Sequence, residues 1–252
     1  MEPSGSRIVA VTGAASGIGL AIVERLHADG WSVVGADRVG DGLVDDDRRA
    51  ACVADVATEE GNAAIVACAL ERFGRLDGLV CNAGVSGAGT LDAEPIEDLD
   101  QMLAVNLRGV VLGVRAALPA LRAARGGSIV VTASVSGLRG DPGMWAYNAS
   151  KGGVINFVRS AAIDLAHEGV RVNAVCPGGI AGTSMTTPME RNAPELFEEM
   201  RSHVPMQRWG LPSEIAGTIA FLLSDDASFV TGVALPVDGG VSAGTGQFRV
   251  RP

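Results

Sequence analysis

Tyr147 is the only tyrosine of this 252-residue chain and Lys151 the only lysine. Four residues apart, they share a face if their segment is helical. A phenol is a poor base at its usual pKa of about 10. A neighbouring ammonium favours the phenolate and lowers that pKa. Such a pair can exchange a proton with a hydroxyl or ketone oxygen near neutral pH. Every other basic residue is arginine, whose rigid guanidinium cannot replace a compact, rotatable ammonium. Tyr-x-x-x-Lys is a common spacing, so the uniqueness of both residue types is what singles this pair out.

A second constellation lies near the N-terminus. The apolar run Arg7–Thr12 leads into Thr12-Gly13-Ala14-Ala15-Ser16-Gly17-Ile18-Gly19 and then a helical pattern, Gly17–Asp29. Glycines let a backbone turn sharply against a pyrophosphate, and the free N–H groups of a helix N-terminus attract it. Asp37 closes the second apolar run. A carboxylate there accepts hydrogen bonds from ribose hydroxyls and repels a 2′-phosphate, which favours NAD over NADP. The adjacent Arg38 could tolerate a phosphate, so NADP stays open.

Composition excludes other chemistries. The net charge is −9 and no basic stripe runs along the chain, so no nucleic-acid partner is expected. Asp45-Asp46-Asp47, followed by Arg48-Arg49, reads as a solvated loop. Cys52, Cys68, Cys81 and Cys176 form no Cys-x-x-Cys pair. His27, His167 and His203 are scattered, so no metal site is expected. Arg108, Arg115, Arg122 and Arg125 interrupt the longest apolar region. The expectation is a soluble, cytoplasmic protein with no membrane span.

These residues must be positioned by alternating short and long elements. Strands are expected at Arg7–Thr12, Trp31–Ala36, Ala51–Ala54, Asp77–Cys81, Ser128–Ala133, Arg171–Cys176 and Val233–Pro236. Helices are expected at Gly17–Asp29, Thr58–Phe73, Ile96–Arg125, Met144–His167 and Pro212–Leu223. That alternation predicts an α/β fold, a single-domain Rossmann-like doubly wound parallel sheet with helices on both faces, over residues 1–252. The stretch 183–210 is long for a connection and reads as a substrate lid.

From residue 7 to residue 240 the chain resembles the short-chain dehydrogenase/reductase family, in its compact single-domain branch. The matching motifs are the Thr12–Gly19 turn, Asp55-Val56, Asn82-Ala83-Gly84, Asn106 in "VNLRG", Ser134, Tyr147-x-x-x-Lys151, Pro177-Gly178 and Asp238-Gly239-Gly240. The resemblance implies that Tyr147 is the catalytic acid/base and that Ser134 holds the substrate oxygen. It implies that Lys151 binds the nicotinamide ribose and lowers the Tyr147 pKa. Asn106 would bend its helix and anchor a water of a proton relay. The dinucleotide would lie against Gly13, Ser16, Gly17, Ile18, Gly19 and Asp37, with its adenine along Asp55 and Val56. Asn82, Ala83 and Gly84 would support it, and Pro177, Gly178, Ile180 and Thr183 would line the nicotinamide. Two departures stand out. Cys81 replaces an asparagine usual in the family, and Gly182 takes the usual place of the threonine, which here comes next as Thr183.

By the same analogy, Ser136, Leu138, Trp145, Gly179 and the lid would form the substrate pocket, with Met185, Met189, Met206 and Trp209 from the lid. Few fixed charges fall there, so the implied substrate is a small hydrophobic or cyclic secondary alcohol or ketone. NAD would favour oxidation. The two long helices are apolar on more than one face, and the family commonly forms homotetramers through them. Two other readings remain: a 3-oxoacyl thioester reductase, and a non-catalytic dinucleotide-binding sensor.

Overall fold

Short runs of Val, Ile, Leu and Ala build the strands, and most are buried on both faces, as a covered parallel sheet requires. A computed structural model describes residues 6–244; the ends of the expected 1–252 span lie outside them. Seven strands, β1 (Ile8–Thr12), β2 (Ser32–Asp37), β3 (Arg49–Val53), β4 (Gly78–Cys81), β5 (Gly127–Thr132), β6 (Val170–Pro177) and β7 (Ala234–Val237), form one sheet in the order β3-β2-β1-β4-β5-β6-β7. Every neighbouring pair is parallel. Edge strand β3 alternates buried and exposed residues, while β1 is wholly buried.

Side chains alternate between two cores. Ile8 and Ala10 of β1 face one, with Ile129 and Val131 of β5. Val9 and Val11 face the other, with Val130 and Val175. The first core is closed by α2 (Glu59–Phe73), α4 (Gly109–Ala123) and α5 (Trp145–Leu165), through Ile65, Val114, Leu121 and Val158. The second is closed by α1 (Gly17–Ala28) and α8 (Pro212–Leu223), through Ile22, Leu26, Ile215 and Ile219. This is the doubly wound sheet expected from the sequence. Strand and helix ends fall within two residues of their expected positions, the usual play at element ends. The strand order reverses between β1 and β4. A cleft opens at such a point, at the carboxyl ends of the strands.

Two elements differ from expectation. The helix expected over Ile96–Arg125 is α3 (Ile96–Met102), a π-helical segment at Leu103–Arg108, and α4. By length and composition Ile96–Ala123 could cross a membrane, yet Val110, Val114, Ala117 and Leu121 pack into the core. The lid stretch is not featureless. It holds α6 (Thr187–Asn192) and α7 (Pro194–Ser202), each with proline in its first turn, where the missing N–H costs nothing.

Candidate active site

The cleft begins at the glycine turn. Gly13 has φ 67°, and a Cβ there would lie 2.9 Å from Ala83 Cα. A Cβ on Gly19 would lie 1.8 Å from the Gly13 carbonyl oxygen. Only glycine lets β1, α1 and the segment after β4 approach so closely. Ser16 precedes α1 without a side-chain capping bond, so its hydroxyl and the first helical N–H groups are open to an anion. Gly17 and Ile18 open the helix itself, Ile18 packing its side chain on the second core.

Asn82 ties three strand ends together. Its Nδ2 donates to the carbonyls of Thr12 (3.0 Å) and Gly13 (3.3 Å), and its Oδ1 accepts from Thr132 Oγ1 at 3.1 Å. The backbone N–H groups of Asn82 and Ala83 both donate to Thr12 Oγ1. Asp37 Oδ2 accepts from Ala15 N at 3.1 Å, so this carboxylate also holds the glycine turn against β2. Arg38 is exposed. Asp55 and Val56 follow β3 beside Asp37, where Ala54 N donates to the Asp37 carbonyl. Asp55 caps its own turn by accepting from Ala57 N at 2.9 Å, and the Val56 carbonyl accepts from Asn62 Nδ2 at 2.8 Å.

The opposite wall follows β6. A Cβ on Gly178 would meet Asp238 at 2.8 Å, which brings the Asp238-Gly239-Gly240 motif against Pro177-Gly178. Gly179 lies under the Trp209 ring, which stacks on Phe197 of α7 with centroids 4.3 Å apart. Ile180 is buried and bridges to Gly210. A Cβ on Gly17 would sit 3.6 Å from Thr183, so the base of the lid closes on the glycine turn. The Thr183 hydroxyl is shared with Thr186 Oγ1 at 2.9 Å.

Tyr147 and Lys151 rise on the first turns of α5 and are both buried, 8% and 4% exposed. Lys151 Nζ donates to the Thr132 carbonyl at 2.9 Å and lies 5.7 Å from the Tyr147 ring centre. A Cβ on Gly84 would come within 3.5 Å of this ammonium. Ser134 Oγ accepts from Ser136 N at 3.1 Å, capping a short turn. Ser136 has its own partner, donating to Asp141 Oδ2 at 2.6 Å. Asn106, inside the π-helical segment, is fully buried. Its Oδ1 accepts from Val85 N, and its Nδ2 donates to Val85 O and Ser150 Oγ. Both amide hydrogens are therefore committed, which makes the side chain a positioning group.

The electrostatics correct one expectation. Burial pushes the Tyr147 phenol up; the Ser134 hydroxyl opposes this and Asp141 reinforces it. Burial also lowers Lys151 from 10.5 to about 8. The lowering of the phenol by Lys151 is thus not accomplished by the protein alone, because desolvation acts on both groups toward their neutral forms. Cys81, in place of the family's asparagine, is buried and pushed up to about 12, leaving an inert thiol. Cys176, close to Lys151, is raised to about 11.

On the substrate side, Trp145 and Tyr147 pack in one apolar cluster with Met102, Ala146, Val85 and Met144. Met185, at the start of the lid, is 40% exposed. Sequence reasoning missed Thr132 and Asp141. The first acts through its main-chain carbonyl, which no side-chain pattern reports. The second reads as an Asp-Pro turn. Among the described residues no three His, Cys, Asp or Glu side chains gather as a metal site.

The residues fit a nicotinamide dinucleotide. The helix N-terminus is uncapped at the switch point, a carboxylate ends β2, and a buried ammonium stands across the cleft. Comparisons with known proteins agree. A family model described as enoyl-(acyl carrier protein) reductase matches residues 13–242. The 2-(R)-hydroxypropyl-CoM dehydrogenase of Xanthobacter autotrophicus is 40% identical, over 94% of this chain and 99% of that protein. The meso-2,3-butanediol dehydrogenase of Serratia marcescens is 38% identical, over 97% and 98%. A solved 3-ketoacyl-(acyl-carrier-protein) reductase from Brucella melitensis, complexed with NADH, superposes with TM-score 0.87 at 34% identity, covering 94% of this chain and 99% of that one.

Proposed function

Because the chain belongs to the short-chain dehydrogenase/reductase family, a family of oxidoreductases, we propose that it is an NAD-dependent, cytoplasmic dehydrogenase of hydrophobic or cyclic secondary alcohols. The observation that carries this reading is the gathering of Ser134, Tyr147 and Lys151 at the ends of β5 and α5, across the cleft from an uncapped helix N-terminus. A non-catalytic dinucleotide sensor would have no need of that set.

Tyr147 holds the proton that leaves or joins the substrate oxygen, and Ser134 supplies a second hydrogen bond to the same oxygen. Lys151, fixed on the Thr132 carbonyl, holds the nicotinamide ribose and leads the proton away. Gly13, Ser16, Gly17, Ile18 and Gly19 would hold the pyrophosphate, Asp37 the adenosine ribose, and Asp55 and Val56 the adenine edge. Ala83 and Gly84 would lie along the cofactor, and Pro177, Gly178, Ile180 and Thr183 at its nicotinamide end. The cofactor, when bound, takes or gives the hydride. The protein supplies the placement of both partners in a dry site.

Among substrate residues, Trp145, Gly179 and Tyr147 line the cleft in this reading, and Met185 closes it from the lid. Ser136 acts by anchoring Asp141. Asp37 carries the preference for NAD, since a second anion beside it would be repelled. The 3-oxoacyl thioester alternative is supported by the Brucella likeness and opposed by Asp37.

The test is a spectrophotometric screen of secondary alcohols with NAD and NADP, beside Tyr147→Phe. Wild type should turn over at least one alcohol faster with NAD, and Tyr147→Phe should lose about 10²- to 10⁴-fold in kcat, the range for a positioned acid/base. Full activity in the Phe variant, or faster turnover with NADPH and a 3-oxoacyl thioester, would sink the reading.

A further inference from the structure

Asp141 is a fixed charge near the catalytic phenol to which the mechanism gives no task. It lies in the loop that joins the short turn after β5 to α5, within Arg139-Gly140-Asp141-Pro142-Gly143. In such a turn an aspartate commonly bonds its own backbone. Here Oδ2 accepts instead from Ser136 Oγ at 2.6 Å. The Asp141 carbonyl accepts from Asn148 Nδ2, on the first turn of α5, at 2.9 Å. The Gly143 carbonyl accepts from Gly89 N at 2.9 Å. The loop is thus tied both to α5 and to the segment after β4. Val85 of that segment packs in the same cluster as Tyr147.

A short chain of contacts connects this carboxylate to the reacting atoms. The Ser134 hydroxyl stands beside the Tyr147 phenol and accepts from Ser136 N at 3.1 Å. One serine therefore separates Asp141 from the hydroxyl that would hold the substrate oxygen. Ordinary bond lengths across that serine place the carboxylate no more than about 10 Å from Ser134 Oγ. That is on the order of the distance over which physiological salt screens a charge. The charge is felt at the phenol, which Asp141 pushes up. Asp141 is exposed, so the cleft mouth is open to it. It joins no ion pair among the described residues. Arg139, two residues away, donates instead to the carbonyls of Ser242 and Gly244.

We propose that Asp141, held by Ser136, selects substrates by charge, rejecting secondary alcohols that carry an anionic group and admitting neutral ones. This rests on the reading of the cleft as a secondary-alcohol site, and narrows the class of alcohol. A like charge brought up to a fixed, unpaired carboxylate is repelled, and that repulsion discriminates without any new attractive contact. An apolar pocket disfavours every ion through desolvation. Only a fixed charge adds a part that salt screens and that a neutral isostere removes.

The experiment compares 4-hydroxycyclohexanecarboxamide with 4-hydroxycyclohexanecarboxylate, which share ring and shape and differ in charge. It measures kcat/KM with NAD for wild type, Asp141→Asn and Tyr147→Phe. Wild type should prefer the amide by more than about 10-fold, the size of a like-charge repulsion over several ångströms at intermediate dielectric. Asp141→Asn keeps an acceptor for Ser136 and loses the charge. Its amide-to-acid ratio should be about 10-fold smaller, chiefly through the KM of the acid, leaving only the desolvation of the ion. Raising sodium chloride from about 0.02 to 0.5 M should shrink the wild-type ratio several-fold, a readout that needs no variant to fold. Any effect of salt on cofactor binding cancels in the ratio. A structural role for Asp141 would lower both activities together and leave the ratio unchanged. An unchanged ratio in Asp141→Asn, a wild type that takes the acid as well as the amide, or a wild-type ratio indifferent to salt would each overturn the proposal. So would failure of both compounds where other secondary alcohols react. Full activity in Tyr147→Phe, or no secondary alcohol accepted by wild type, would instead overturn the catalytic reading beneath it.

Discussion

Lys151 shows how one side chain can serve chemistry against stability. Its ammonium is buried with one acceptor among the described residues, the Thr132 carbonyl, and its pKa falls from 10.5 to about 8. The sign follows from linkage. Between about pH 8 and 10.5 the unfolded chain binds the proton more tightly than the folded one, so this group lets stability rise with pH across that window. Below pH 8 both states are protonated and the whole cost of burying the charge is present. A shift of this size corresponds to roughly 3 kcal/mol, part of it offset in a variant by the carbonyl left unpaired. Lys151→Met should therefore raise the melting temperature of the ligand-free protein at pH 7 by about 2–5 °C while removing most activity. The advantage should shrink when melting is repeated at pH 10. Differential scanning calorimetry at the two pH values checks this; a variant that melts lower at pH 7 would refute it. Lys151→Arg is no rescue, because a planar guanidinium fork does not reproduce a compact, rotatable ammonium.

At the scale of elements, the π-helical segment Leu103–Arg108 is the feature that joins the fold to the site. It carries Asn106, whose amide grips both backbone groups of Val85 and the hydroxyl of Ser150. It thus fixes the segment after β4 and the first turns of α5 relative to each other. Asn106→Ala would leave these partners buried and unpaired, at about 2–4 kcal/mol. Thermal melting should fall by roughly 5–10 °C, and activity should fall with it at temperatures where the variant is still folded. An unchanged melting temperature would mean that water replaces the amide. Such a segment is not visible in the sequence, because Leu-Ala-Val-Asn-Leu-Arg has ordinary helical periodicity and only tertiary partners shift its bonding. The parallel strands were legible because burial on both faces makes their sequences nearly continuous apolar runs. The glycine turn, Tyr147 and Lys151 were legible because the chemistry restricts residue type. The lid helices α6 and α7 were also missed. Each is only 6 or 9 residues long, interrupted at Ala193-Pro194, and too short for periodicity to stand out.

For the molecule as a whole, the remaining question is what covers the apolar surface that the sheet does not use. The helices α4 and α5 bury Val114, Leu121, Val154 and Val158 inward. On the outer side of α5, Ile163 is 78% exposed, on the same face as Ser160 and Arg159. Phe229, after α8, is fully exposed, and Phe221 of α8 is 42% exposed. A free monomer gains nothing by leaving large apolar side chains in water, whereas a second copy covers them at about 25 cal/mol per Å² of apolar area removed. Closed symmetry is the usual result when one surface pairs with itself. We propose the homotetramer that the family resemblance implies, with α4 and α5 at one interface and the region of Phe221 and Phe229 at another. Sedimentation velocity at micromolar concentration should give a species near four times the 25.7 kDa protomer. Ile163→Arg places a charge in the α5 interface and should shift that species to a smaller one without loss of far-ultraviolet helix signal. A wild type that sediments as a monomer at those concentrations would remove the expectation. A tetramer indifferent to Ile163→Arg would move the interface away from α5.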